Sequence, residues 1–193
     1  MASHRRCGSA VAFVVLLATV AGAQAEVGLP TGWVRIGNPA DRQAVERALQ
    51  GVAERLREGE CRRVLGDFED QNGRTLQEGL DALGLSPDRY LGWVFFYDGF
   101  GRGRCMQSGI YATTEPGSRV VHMCGPRFTD LHTRRPQEAE AVVLHEVLHT
   151  LGLGENPPTS AHITQRVVER CYPEVVASPF AKASTQGQRT AIR

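Results

Sequence analysis

Two histidines and a glutamate lie close together in the segment HEVLH, residues 145–149. On a helix, His145 and His149 lie one turn apart on the same face, so both imidazoles can reach one metal ion. Glu146 then points to the adjacent edge, next to a water in an open coordination position. Zinc lowers the pKa of such a water toward ~7, and a nearby carboxylate can take its proton. The spacing therefore predicts a catalytic Zn²⁺ site with Glu146 as the general base.

A catalytic zinc ion needs a third protein ligand, and the residues after His149 offer several. Glycine at position 152 permits a left-handed backbone that turns the chain back sharply, so that Glu155 can reach the metal as an oxygen ligand. The expected ligands are therefore His145, His149 and Glu155. The alternatives for the third ligand are His162, Glu169 and Glu174. The alternative for the whole segment is an apolar helix that carries two histidines without a metal.

The order H-E-x-x-H-x-x-G-x-x-E over residues 145–155 resembles the metzincin zinc-binding sequence H-E-x-x-H-x-x-G-x-x-H. Metzincins are zincin-type zinc metallopeptidases with His or Asp at the position of Glu155 and a methionine-containing turn after it. Here the last methionine is Met123, upstream of the motif. The resemblance implies a divergent, minimal zincin that hydrolyses peptide bonds. It also implies that a strand at residues 108–114 forms the edge along which an extended peptide pairs.

The first 25 residues have the features of a signal peptide. A basic start is followed by an apolar run of about 13 residues, which is shorter than the ~20 of a membrane helix. Small residues at Ala23 and Ala25 suit cleavage near Ala25. The sequence therefore predicts a secreted or periplasmic protein without stable membrane association.

The charge balance disfavours several classes of partner. The chain has 22 basic and 21 acidic residues. Because Arg5 and Arg6 lie in the predicted signal peptide, 20 basic residues remain, and the net charge becomes about −1. Nucleic-acid binding requires a basic excess, which this chain lacks. The expected partner is a peptide or protein substrate, and the expected state is a monomer.

Four of the five cysteines follow the predicted signal peptide. An even number of cysteines in an exported chain indicates two disulfides, which allows three pairings. The favoured pairing joins Cys105 to Cys124 across a local β-turn region and Cys61 to Cys171 between an early and a late helix.

Hydrophobic periodicity predicts an α+β domain over residues 26–177, with a small mixed or antiparallel sheet and the HExxH motif on a helix. Residues 178–193 are polar and aperiodic and are predicted to be disordered. His122 is expected to be half-buried on a strand, and His132 to lie in a loop. Residues 99–104 (GFGRGR) are expected to form a flexible turn. Strands are predicted at residues 31–37, 91–97, 108–114 and 119–124, and helices at 39–59, 74–83, from 136 to the glycines at 152 and 154, and at 160–171.

Three functions are compatible with these residues. The first is a secreted zinc metallopeptidase in which Glu146 activates water. The second is a zinc-binding protein with a non-catalytic role in interactions, although a purely structural site would have no use for a free carboxylate beside the metal. The third is a zinc amidase acting on a non-protein substrate, which would have a closed pocket instead of a groove beside a free strand edge.

Overall fold

Short helices and a small sheet alternate along residues 33–177, the part of the chain that the computed structural model describes. The signal peptide predicted for residues 1–25 and the disordered tail predicted for residues 178–193 lie outside the described residues. The strands are β1 Val34–Arg35, β2 Phe95–Asp98, β3 Ala112–Thr114 and β4 Val120–Met123. The helices are α1 Pro39–Arg55, α2 Gly59–Arg62, α3 Leu76–Leu83, α4 Pro87–Tyr90, α5 Gly125–Arg134, α6 Pro136–Thr150, α7 Ser160–Cys171 and α8 Pro173–Ala177. The prediction of an α+β fold is confirmed.

The four strands form one mixed sheet in the order β1-β2-β4-β3. β1 and β2 are parallel, β2 and β4 are parallel, and β3 is antiparallel to β4. β3 is thus an edge strand, joined to β4 by a turn at residues 115–118. Within this turn, Glu115 O accepts a hydrogen bond from Ser118 N at 2.9 Å.

The strands predicted to begin at residues 91 and 108 begin later, at Phe95 and Ala112, and the prediction for His122 is wrong. His122 is exposed rather than half-buried, whereas Val121 and Met123 on either side of it are buried. Side chains alternate between the two faces of a strand, so an error of one residue in the assignment reverses which side chains face the core. His122 lies on the outer face of the sheet, opposite Tyr97 of β2.

The first helices begin where the sequence supplies caps. The Asn38 side chain accepts hydrogen bonds from the backbone N–H groups of Ala40 and Asp41 at 2.9 and 3.2 Å, which fixes the start of α1. Thr75 and Glu78 form a reciprocal capping box at the start of α3. Both helices were predicted, although α1 ends earlier than residue 59.

Helix α6 is the centre of the domain. It packs against α1, α5 and α7 and against strands β3 and β4. Its apolar residues Val143, Leu144, Val147 and Leu148 form one broad buried stripe, and the polar residues His145, Glu146 and His149 on the other faces are buried too. The helix is therefore buried on all sides, which places it in the core.

Helix α5 was not predicted, and the expectation that His132 lies in a loop is wrong. Pro126 lies in the first turn, where proline is tolerated because the first N–H groups have no intrahelical partner. Phe128 and Leu131, three residues apart, are the buried face of the helix. The segment otherwise consists largely of polar residues, so its helical period rests on these two side chains.

Two disulfides hold the ends of these elements together. Cys61 of α2 is bonded to Cys171 of α7, and Cys105 is bonded to Cys124 at the start of α5. The favoured pairing is confirmed, and two disulfides are typical of an oxidising, extracellular environment. Between residues 33 and 177, none of the helices has the length and apolar character needed to span a membrane.

Candidate metal centre

Helix α6 brings the imidazoles of His145 and His149 together, as their spacing predicts. Their Nε2 atoms lie 3.0 Å apart, and their ring centroids are 4.8 Å apart. Both side chains are buried, so the helix and its packing fix their positions. Two imidazole nitrogens at tetrahedral positions around zinc would lie about 3.3 Å apart. The pair thus already has nearly the separation that one metal ion requires.

The Nδ1 atom of each imidazole contacts an oxygen atom of a neighbouring residue. The Nδ1–H of His149 donates to the carbonyl oxygen of Leu153 at 2.7 Å. Because a carbonyl can only accept, the proton is on Nδ1 and the Nε2 lone pair faces His145. Nδ1 of His145 lies 2.9 Å from the hydroxyl Oγ1 of Thr164 on α7. Such contacts orient metal-binding histidines and fix the tautomer whose Nε2 can bind metal.

Burial also keeps one imidazole neutral. It lowers the pKa of His145 to about 3, and the neighbouring His149 contributes further in the same direction. Metal binding requires the neutral imidazole, because the protonated ring has no free lone pair. The buried position therefore favours the form of His145 that can serve as a ligand.

Glu155 reaches the same point through a turn after α6. Gly152 has a φ of 103°, and its N–H donates to His149 O at 2.9 Å, so the chain reverses directly after the helix. The backbone of Asp70 forms an isolated β-bridge with that of Leu153, and this pairing supports the turn. As a result, ligand atoms of Glu155 and the two histidines lie within 4.8 Å of one another. These three residues could hold a metal ion.

The donor set fits zinc. Two imidazole nitrogens and one carboxylate oxygen are an ordinary set of three protein ligands for catalytic zinc, with a fourth position left for water or substrate. Imidazole also binds copper, iron and nickel, so the donor types fit several transition-metal ions and do not select one of them. The part of the chain that the structure describes places no other group of three such side chains close enough to hold an ion.

Glu146 lies beside this group and lines a cavity of about 150 Å³ together with His145. The remainder of the cavity is formed by Val142, Ser160, Thr164 and the chain from Gly109 to Ala112. Burial, together with the charge of Glu155, raises the pKa of Glu146 to about 8. Arg104 and a hydrogen bond from the Thr114 backbone oppose this shift. The carboxyl group is therefore poised to exchange a proton near neutral pH.

The other candidates for the third ligand make contacts with other residues instead. His162 is exposed at the start of α7, where its ring lies 6.1 Å from that of Phe68. Glu169 accepts a hydrogen bond from Gln165 Nε2 at 2.8 Å, and Glu174 pairs with Arg55. Of the four candidates, Glu155 is the one that the fold brings to the histidines.

Several residues around the site were not identified from the sequence. They are Thr164, which contacts His145; Asp70, which supports the turn at Gly152; and Arg104, which lies 3.9 Å from Glu155. A partner for each histidine Nδ1 is expected at any such site. Which hydroxyl or carbonyl serves depends on how α7 and the loops pack, and the local pattern does not contain that information.

In comparisons with known proteins, no family model matches the chain, and no curated protein and no solved structure matches it significantly.

Proposed function

We propose that the protein is a zinc-dependent metallopeptidase that acts outside the cytoplasm. The observation that carries the proposal is the grouping of His145, His149 and Glu155 beside the buried carboxyl group of Glu146. The order of these residues along the chain resembles the metzincin sequence, which supports the choice of zinc and of peptide hydrolysis. The two disulfides support a secreted or periplasmic location.

In this mechanism the chain supplies both proton transfers. When bound, a zinc ion would act as a Lewis acid, which lowers the pKa of water and polarises a carbonyl group. An oxygen of the Glu146 carboxylate accepts the proton from water as the water attacks the peptide carbonyl carbon. The same oxygen then delivers the proton to the leaving amine nitrogen. A carboxyl whose pKa lies near the working pH performs both steps well.

The edge of the sheet favours a peptide substrate over a small substrate that binds in a closed pocket. Among the described strands, β3 has β4 as its one neighbour, so its other edge has no strand partner. Apart from the Thr114 backbone group bonded to Glu146, we expect this edge to pair with an extended chain. The residues leading into β3, Ile110 and Tyr111, line the cavity that also contains Glu146. A peptide lying along β3 would therefore pass the site, as a peptidase requires.

Zinc content is the first test. The purified protein is dialysed and its zinc measured by plasma emission spectrometry, with Glu155→Ala and Glu169→Ala beside it. We expect one zinc per chain in the wild type and in Glu169→Ala, and loss of zinc in Glu155→Ala. Absence of zinc from the wild type after reconstitution would refute the proposal.

A peptide library then tests the reaction. Cleavage by the zinc-loaded wild type is the expected result. Zinc binding without cleavage of any peptide in a broad library would favour a non-catalytic zinc protein or an amidase.

A further inference from the structure

Arg104 is the basic side chain nearest to the proposed metal ligands. Its Nη1 lies 3.9 Å from Oε2 of Glu155, and within residues 33–177 no other Lys or Arg pairs with a member of the ligand group. Its side chain is 57% exposed, whereas that of Glu155 is 24% exposed. The guanidinium group thus lies at the rim of the site, on the solvent side of the Glu155 carboxylate.

The segment that carries Arg104 is firmly attached to the domain. Residues Gly103–Met106 form one turn of 3-10 helix, and Cys105 within it is bonded to Cys124. The guanidinium of Arg127 on α5 donates to the carbonyl oxygens of Cys105 at 2.8 Å and Ile110 at 2.7 Å, and to that of Gln107. Arg104 is the last residue of the glycine-rich segment 99–104, which was predicted to be a turn, and these bonds hold the chain directly after it.

The Glu155 side chain depends more than the two histidines on a partner that orients it. His145 and His149 are held by α6 and by one hydrogen bond each from behind. Glu155 lies on a loop, outside the helix that holds the two histidines. The guanidinium of Arg104 is the positive charge that pairs with its carboxylate.

We propose that Arg104 is a positioning residue that holds the Glu155 carboxylate at the metal-binding point. The proposal rests on the zinc site described under the proposed function. The guanidinium lies beside Oε2 of Glu155 at the rim of the site, so its charge opposes rotation of the Glu155 side chain away from the site toward solvent. An ion pair at this distance and exposure is expected to change metal affinity by about 2- to 5-fold when it is removed.

Zinc affinity of matched variants tests this role. The dissociation constant is measured by competition with a chromogenic chelator for the wild type, Arg104→Gln, Arg104→Lys and Arg102→Gln. Arg102 is an exposed arginine of the same loop, so its substitution controls for the loss of one positive charge. We expect Arg104→Gln to bind zinc about 2- to 5-fold more weakly, Arg104→Lys to recover part of the loss, and Arg102→Gln to match the wild type. Unfolding midpoints of all four proteins, measured with chelator present, verify that each is folded.

Three results would overturn the proposal. Wild-type zinc affinity in Arg104→Gln would show that Glu155 does not depend on Arg104, and a reduced kcat at unchanged affinity would place Arg104 on the substrate instead. An equal loss in Arg102→Gln would reduce the effect to general electrostatic attraction of the cation. Failure of the wild type itself to bind zinc would be a different outcome, because it would refute the proposed function and this inference together.

Discussion

His145 and His149 lie on a helix that is buried on all sides, whereas Glu155 reaches the same point from a loop after the turn at Gly152. We refer to His145, Glu146 and His149 as the helical half of the site and to residues 152–155 as the loop half. The helical half takes its geometry from the four-residue spacing on α6. The loop half takes its geometry from contacts with Asp70 and Arg104, which are distant in sequence.

The two halves are nevertheless connected. His149 O accepts the N–H of Gly152, and Leu153 O accepts the Nδ1–H of His149, so each half satisfies a polar group of the other. The two halves therefore differ in what determines their geometry. Local helix geometry brings the side chains of the helical half together, whereas the geometry of the loop half also depends on contacts with distant parts of the chain.

The largest expected effect concerns the chemistry of the helical half. Glu146→Gln removes the group that accepts the proton from water, and we expect kcat on a cleaved library peptide to fall by about 10²- to 10⁴-fold. Zinc content should stay at the wild-type level, because Glu146 is not among the three grouped ligands. The measurement is kcat and zinc content on the same preparation.

Glu138→Gln is the matched control for that substitution. Glu138 lies on the same helix, in its first turn, where it pairs with Arg135 at 2.9 Å. It should leave kcat unchanged. If Glu146→Gln retained wild-type kcat, the helical half would have no role in proton transfer, and its contribution to the site would be limited to the two histidine ligands.

Sequence predicted the helical half because everything it requires is local. His145 and His149 are separated by one helical turn, and the apolar residues between and around them indicate a core helix. The same reasoning missed α5, because Phe128 and Leu131 are the main apolar positions of a short, polar segment. It also placed His122 on the wrong face of β4, because strand periodicity alone leaves a one-residue ambiguity.

Sequence predicted part of the loop half as well. Gly152 indicated a sharp turn after the helix, and this turn made Glu155 the favoured third ligand among four candidates. The contacts that support the turn and the ligands could not be predicted from the sequence. Asp70, Arg104 and Thr164 approach the site from three different parts of the chain, and only tertiary packing decides which residues meet there.

A smaller effect is expected from the contact behind His145. Thr164→Val keeps the size of the side chain but removes the hydroxyl beside Nδ1, so the imidazole loses its orienting partner. We expect zinc affinity to fall by about 10- to 100-fold. Thr164→Ser, which keeps the hydroxyl, should bind zinc as the wild type does. The measurement is the zinc dissociation constant by chelator competition.

Thr133→Val controls for the same chemical change elsewhere. The Thr133 hydroxyl donates to Thr129 O on α5 at 2.8 Å, away from the site, and its loss should leave zinc affinity unchanged. Equal affinities of Thr164→Val and the wild type would mean that α6 alone orients His145. The helical half would then be even more independent of the rest of the fold than the structure indicates.

The smallest expected effect tests the turn that forms the loop half. Gly152 has a φ of 103°, and a Cβ at this position would lie 3.1 Å from Cβ of Asp70. Gly152→Ala should therefore lower the free energy of unfolding by about 1–2 kcal/mol. Gly79→Ala on α3 is the control, because a Cβ there meets nothing within 4 Å and helical alanine is favoured over glycine by about 0.5–1 kcal/mol. Urea unfolding with chelator present measures both values free of metal binding.

Repeating the Gly152→Ala measurement with zinc sharpens the comparison. A ligand that binds the folded state stabilises it in proportion to the logarithm of its concentration over its dissociation constant. If the turn presents Glu155, zinc should stabilise Gly152→Ala less than it stabilises the wild type, and it should stabilise Gly79→Ala fully. Equal stabilisation of all three proteins would mean that zinc binding depends on the two histidines and not on the position of the loop half.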